Sequence, residues 1–428
     1  MAAVRPPGPR GHWLLGSLDD VRRDMPQTLL DVTREFGPVT RLRVGPAAMY
    51  LIGDGDLIVS TLTGSAAALR KSNRTRAALG GHLGQGLVTL EGTEHRRHRQ
   101  LVQPVLHSQA VAAQAETIVA LARQRAQSWD DGAVIELHSE LADLTLRIVC
   151  AALFKLDSEP LIQAVHGFAR SLNVTLRQAF PLPGWLPTGA NRQRRAAVGR
   201  VDRYAYELIR QRRAHGGDGA DLLSLLVDTG QLSDVEVRDE LMTMFFAGHE
   251  TSAAALSWAF SLLDAHPEVA GQLRDELGDR EPSFADLPRL PLLGRVVKET
   301  LRLYPPAWVF DRSPLHDLEV HGFTLPKGAN VLLSPWVAHR DPERWSDPHA
   351  FRPDRFGGEP PARGAYLPFG DGSRMCVGNR FAEAEIALVL ATLLPRVQLS
   401  RVDDRPVRPE GDATLRPRGG LRMRVTRR

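Results

Sequence analysis

Cysteine is nearly absent: 428 residues carry only Cys150 and Cys376. Two thiols cannot build a disulfide framework, which excludes a small secreted scaffold and fits a reducing cytoplasm. Long apolar runs are lacking too. No stretch approaches the roughly 20 consecutive apolar residues that span a bilayer. The opening Met1-Ala2-Ala3-Val4-Arg5-Pro6-Pro7-Gly8-Pro9-Arg10 has no apolar core of a secretory signal. Integral membrane association is therefore not expected. Lysine is scarce: of 54 Lys and Arg residues, only those at 71, 155, 298 and 327 are Lys. The bias toward Arg reflects a GC-rich coding sequence and points to a bacterial source rather than to a binding surface. A formal net charge of +4 on so long a chain is too weak to imply nucleic acid, even with an isoelectric point near 9.3. Internal repeats and low-complexity segments are missing, which excludes a solenoid or a tail. No linker divides the chain. Residues 1–428 are expected to form one catalytic domain, with 1–20 as its proline-rich N-terminal segment.

What is present is mostly a helical pattern. A helix is expected before Gly37-Pro38, followed by strands over 39–44 and 49–52 turned by Gly45-Pro46. Helical periodicity dominates from about 56 to 303. Breaks are expected at Gly80-Gly81, at 180–187 and at 215–219, and the proline-rich second break would cover a pocket. The longest helical signal runs over 233–266, opened by a capping box of Ser233 and Glu236 and stopped by Pro267. At 1.5 Å per residue it would measure roughly 50 Å. After Leu303 the chain turns Pro- and Gly-rich with short strands such as 330–334, and helix is expected again only after Cys376. The fold class is mainly α with small β-sheets. Cys150, inside the apolar run 144–154, reads as core.

Four local patterns carry chemistry. Residues 369–378 read Phe-Gly-Asp-Gly-Ser-Arg-Met-Cys-Val-Gly. A lone cysteine is ordinarily a small buried hydrophobe, but each neighbour here solves a problem that a thiolate ligand creates. Gly370, Gly372 and Gly378 let backbone approach a flat macrocycle, and Arg374 offers a fixed cation. The helix expected from Asn379 brings unpaired N–H groups and a positive dipole end beside the sulfur. A thiol so held is an axial ligand for haem iron. Residues 247–252, Ala-Gly-His-Glu-Thr-Ser, put an acid and a hydroxyl beside a glycine that costs about 1 kcal/mol in a helix interior. Either the helix packs closely on a neighbour with Thr251 bonded back to a carbonyl, or Glu250 and Thr251 deliver protons where the helix opens near Gly248. His249 reads as a helix-face residue pointing elsewhere. Glu299 and Arg302 are neighbours at i and i+3, and His95 and Arg99 stand one turn apart, able to reach one anionic group.

The Cys376 run resembles the haem-binding signature of the cytochrome P450 superfamily. The resemblance extends in order along the chain: proline hinge without an anchor before it, His95 helix, acid–Thr helix, Glu299-x-x-Arg302, the Arg355 segment, Cys loop. It implies a triangular helical domain with haem b between a long central helix and the Cys-loop helix. Cys376 is then the iron ligand, with Phe369, Gly370, Gly378 and Ala247 lining the cofactor, and His95, Arg99, Arg312 and Arg374 holding its propionates. His95 stands where other members often have Trp. Glu250 and Thr251 match the oxygen-activation pair, with Glu where many soluble members have Asp. Glu299, Arg302 and Arg355 are assigned to structure.

Position within the family further implies substrate contacts at Leu87, Val88, Phe245, Phe246, Ala247, Ala307, Trp308, Val309, Thr414 and Leu415. Nearly all are apolar, so a hydrophobic terpene-like or fatty acyl substrate is expected, in bacterial secondary metabolism. The implied reaction inserts one oxygen atom from O2 into a C–H bond. No flavin or iron–sulfur domain follows Arg428, so electrons from NAD(P)H are expected through ferredoxin and ferredoxin reductase, with Arg96 and Arg97 as docking cations. The enzyme is expected to be a cytoplasmic monomer. Two rival readings are a peroxide-driven peroxygenase, against which the Glu250-Thr251 pair argues, and a non-catalytic haem sensor, against which the lack of a signalling domain argues.

Overall fold

The computed structural model describes residues 4–156, 159–177, 185–216 and 221–428. Two expected loops are cut by this: 180–184 and 217–219 lie outside the described residues. The helices are α1 (Leu18–Phe36), α2 (Gly55–Thr63), α3 (Asn73–Leu83), α4 (Gly92–Val102), α5 (Ser108–Ser128), α6 (Leu137–Phe154), α7 (Glu159–Arg177), α8 (Gly189–His215), α9 (Leu222–Asp228), α10 (Asp234–Ala265), α11 (Pro267–Leu277), α12 (Pro291–Leu303), α13 (Pro335–Ala338) and α14 (Asn379–Leu393). The strands are β1 (Val39–Val44), β2 (Ala47–Ile52), β3 (Leu69–Arg70), β4 (Val134–Glu136), β5 (Phe310–Pro314), β6 (Leu318–Val320), β7 (Phe323–Leu325), β8 (Asn330–Leu333), β9 (Val397–Arg401), β10 (Pro409–Gly411), β11 (Leu415–Pro417) and β12 (Arg422–Arg427). The class is mainly α with small sheets, and no described helix is long and apolar enough to cross a membrane.

The chain divides into two compact units. The first comprises Met1–Thr75, Lys298–Cys376 and Arg408–Arg418. Its frame is a five-stranded sheet in the order β1-β2-β8-β5-β3. β1 and β2 form an antiparallel hairpin, β2 pairs parallel with β8, and β8 and β5 are antiparallel. Period-two alternation splits the strands between two cores. Tyr50, Ile52, Val331 and Leu333 join Ile58, Val59 and Leu62 of α2 on one face. Met49, Leu51 and Leu332 join Leu29, Leu30 and Val32 of α1 on the other. Each such side chain contributes roughly 1.5–3 kcal/mol on burial.

The second unit comprises Arg76–Val297, Val377–Val407 and Gly419–Arg428. Its axis is α10, 32 residues long and about 48 Å at the helical rise. The capping box forms as expected: Ser233 Oγ accepts from the Glu236 amide at 3.3 Å, and Glu236 Oε2 accepts from the Ser233 amide at 2.9 Å. Pro267 ends the helix by starting α11. From Ser252 to Leu263 every side chain is buried, the mark of a helix enclosed on all sides. α6, α8 and α14 pack on it, and a three-stranded sheet, β4-β12-β9, completes the unit.

Two sequence expectations fail. Gly80-Gly81 does not break the chain, because α3 continues to Leu83. A Cβ on Gly81 would lie 2.5 Å from Arg194 Nη1, so this glycine makes room for an arginine of α8. The turn comes at Gly84, with φ +69° and no space for a Cβ against Asp239. Helix also returns before Cys376, as the single turn α13 capped by Ser334, which ends β8 at Leu333.

Candidate active site

The Cys loop up to Cys376 belongs to the first unit. Gly370 and Gly372 take φ values of +72° and +70°, the left-handed region that favours glycine. A Cβ on Gly372 would stand 2.6 Å from Leu62 O. The loop is pinned by its own amides: Cys376 N–H donates to Phe369 O at 2.9 Å, Met375 to Gly372 O at 3.1 Å and Gly370 to Leu367 O at 3.1 Å. Asp371 Oδ1 accepts from the Gly372 amide at 2.6 Å. The Cys376 side chain is left exposed, unlike that of Cys150. Phe369 and Arg374 of the loop, and Arg312 of β5, are half-buried. An exposed thiol on a glycine-shaped loop, with guanidinium groups and an aromatic ring in the same unit, is a donor set that fits haem iron.

Behind the loop lies a buried ionic cluster. Glu299 and Arg302 are 0% exposed. Their pairing is bidentate, Arg302 Nε to Glu299 Oε2 at 2.7 Å and Nη2 to Oε1 at 2.8 Å. Arg355 Nε adds a bond to Oε1 at 3.1 Å. The remaining Arg302 donor reaches His339 O and Pro348 O, both at 2.8 Å. His339, which sequence reading passed over, ties this cluster to the loop. Complete burial pushes its pKa down to about 3, so the ring is neutral. Its Nδ1–H then donates to Arg302 O at 2.9 Å, and Nε2 accepts from the Leu367 amide at 2.7 Å. Leu367 stands two residues before Phe369.

In the second unit, α10 runs unbroken through Gly248; the helix opening expected there is not seen. Two other facts account for the motif locally. A Cβ on Gly248 would lie 2.8 Å from Val149 Cγ2 of α6, and Thr145 Oγ1 of α6 donates to His249 O at 2.9 Å. Thr251 Oγ1 bonds back to Ala247 O at 2.8 Å. Glu250 is 5% exposed, and its carboxylate is turned to α6, with Oε1 3.7 Å from His138 Nε2 and Oε2 3.8 Å from His249 Nε2. His249 is fully buried and its Nδ1 meets Phe245 O. Ser252 Oγ donates to Glu385 of α14 at 2.5 Å, and burial raises the pKa of Glu385 to about 8.

On α4, His95 is buried and Arg99 half-buried. Arg97 is engaged within the chain. It is held by Glu94 at 2.8 Å, by Glu236 of α10 and by Gln231 O at 2.9 Å. Arg96 stays exposed. Neighbouring His98 is buried against Glu240 at 2.6 Å.

The expected substrate contacts lie in different surroundings. Trp308 and Leu415 are built into the α1-side core of the first unit, with Val309 packed on it, and the Trp308 indole donates to Asp412 O at 3.1 Å. Phe245 is 2% exposed and stacks edge-on to Phe154 of α6, ring centroids 5.2 Å apart. At 100° per residue it lies on the opposite side of α10 from Ala247 and Thr251. Phe246, Val88 and Ala307 remain half-buried, and Leu87 and Thr414 are buried.

Residues 6–423 match the family model described as Cytochrome P450. Cyclooctatin synthase of Streptomyces melanosporofaciens is 36% identical over 406 residues, covering 90% of this chain and 88% of that protein. Pentalenene oxygenase of Streptomyces avermitilis is 34% identical, covering 92% and 91%. Cyclooctat-9-en-7-ol 5-monooxygenase of S. melanosporofaciens is 35% identical, covering 86% and 83%. The crystal structure of the cytochrome P450DA heme domain superposes with a TM-score of 0.89 at 25% identity, covering 100% of this chain and 99% of that one. Motif order, fold and these likenesses agree: the chain belongs to the cytochrome P450 family and is a haem-dependent monooxygenase.

Proposed function

We propose that Cys376 ligates the haem iron, that His95, Arg99, Arg312 and Arg374 hold the propionates, and that Glu250 and Thr251 deliver protons during oxygen activation. The observation that carries this reading is the Cys376 loop, an exposed thiol fixed by glycines at positive φ and by three backbone bonds. Haem bound there supplies the activation of dioxygen, from which one oxygen atom enters a C–H bond. The chain's own residues do the rest. His339 and the Glu299–Arg302–Arg355 cluster fix the loop from behind. Phe369, Gly370, Gly378 and Ala247 would border the macrocycle. The Thr251 hydroxyl can accept a hydrogen bond while donating to Ala247 O, so it can hold a water. Residues 1–428 act on this reading as one catalytic domain.

The substrate we propose is a terpene-like hydrocarbon or its alcohol. Two relatives carry pentalenene and cyclooctat-9-en-7-ol in their names, and the remaining candidate contacts Leu87, Val88, Phe246, Ala247 and Ala307 are apolar. Electrons come from ferredoxin and its reductase, with Arg96 as a docking cation on α4. The test is turnover of such compounds with those donors under isotopically heavy dioxygen. One heavy atom per product is expected. In Thr251→Ala, product per electron pair should fall about tenfold while peroxide rises; turnover supported by peroxide alone, or unchanged coupling in Thr251→Ala, would contradict the proposal.

A further inference from the structure

Resting on the reading that Glu250 delivers protons, we propose that His138 of α6 is the positioning residue that orients Glu250 and returns its proton. The argument starts from hydrogen bonds in the second unit. Ser257 Oγ spends its one proton on Ala253 O, at 2.6 Å. At the 3.2 Å contact with His138 Nδ1 it can therefore only accept. That fixes Nδ1 as a donor and leaves Nε2 as the nitrogen turned to the acid. Nε2 faces Glu250 Oε1 at 3.7 Å, one small side-chain rotation or one water from a hydrogen bond.

The other carboxylate oxygen faces a different imidazole. His249 Nδ1 meets the Phe245 carbonyl, which can only accept, so this nitrogen carries the proton. Its Nε2 is buried with no hydrogen-bond partner, 3.8 Å from Glu250 Oε2. Burial lowers the pKa of His249, so Nε2 presents a lone pair. A lone pair there favours a protonated Glu250, whose O–H can turn to it; an imidazolium at His138 favours the carboxylate. Glu250 is thus held between a group that stabilises each of its two forms. Solvent can reach His138: its side chain is 12% exposed and that of Glu250 is 7%.

The balance is simple. His138 Nε2–H passes its proton to Glu250 Oε1, giving neutral imidazole and neutral acid, and a hydronium ion of the bulk solvent reprotonates Nε2, leaving water, after Glu250 has given its proton up. Other charges near this cluster are Glu136 at the start of α6, which feels His138, and His166 of α7, which acts on His249 and lies 3.0 Å from Asp143. Arg125 of α5 is paired with Glu140 of α6 at 2.8 Å.

Two variants separate the roles. His138→Asn brings an amide to the Nδ1 position and can keep the Ser257 bond, while His138→Gln brings one to the Nε2 position; neither titrates. Nuclear magnetic resonance of the His138 ring in the haem-loaded protein should show its Nε2 signal moving in Glu250→Gln while Nδ1 keeps the signature of a donor to Ser257. Product per electron pair should drop about tenfold in both His138 variants, with a larger solvent isotope effect. An unchanged Nε2 signal in Glu250→Gln would overturn the proposal. So would wild-type coupling in His138→Gln beside a Glu250→Gln that uncouples, which leaves the Glu250 reading intact. Wild-type coupling in Glu250→Gln would remove that reading and the proposal with it.

Discussion

Glu385 and His339 are buried titratable side chains that bend the stability of the fold in opposite directions with pH. Burial raises Glu385 to about 8 from an ordinary 4.5. The folded chain therefore binds more protons than the unfolded one between these values. Its contribution is complete below about 4.5 and is lost as pH rises through about 8. His339 is lowered from 6.5 to about 3, so its contribution is complete above about 6.5 and is lost as pH falls toward about 3. Glu385→Gln keeps an acceptor for Ser252 but cannot ionise. Chemical denaturation from about pH 6 to 9 should show wild type losing stability toward the alkaline end and Glu385→Gln staying nearly flat. Parallel curves would mean that Glu385 is already ionised. Neither side chain was legible in sequence, because burial by distant segments gives each its character. Residues whose role is local were legible in part: of the three loop glycines, Gly370 and Gly372 take positive φ, and Gly378, at φ −95°, does not.

At the scale of elements, α10 was the most readable part of the chain, since a capping box and a proline act within a turn of its ends. What lies against it was not readable. Gly248 admitted two readings in sequence, and the structure gives close packing on Val149 of α6 with no helix opening. Helix propensity favours Gly248→Ala by about 1 kcal/mol, but a Cβ at 2.8 Å from a branched side chain overpacks the interface. We predict a net loss of about 1 kcal/mol for Gly248→Ala alone, turning into a net gain in a Val149→Ala background. Thermal unfolding of the four proteins measures this; an equal loss in both backgrounds would dissociate Gly248 from Val149. The same nonlocality hid the contact of Phe245 with Phe154 of α6. Gly80-Gly81 misled because a glycine pair reads as a break when the partner that needs the space, Arg194, is 113 positions away.

At the scale of the whole molecule, fold class and family were legible because several motifs agree in order, each set by a local requirement. The order β1-β2-β8-β5-β3 was not, since β8 enters beside β2 from nearly 280 residues downstream. The assembled chain supports one central claim, that Cys376 as thiolate holds the haem iron of this monooxygenase. The spectrum of the reduced protein under carbon monoxide tests it most directly. Wild type should show the red-shifted Soret band of thiolate ligation, and Cys376→Ala should lose it while keeping the folded helical content. A red-shifted band that survives in Cys376→Ala would contradict the account.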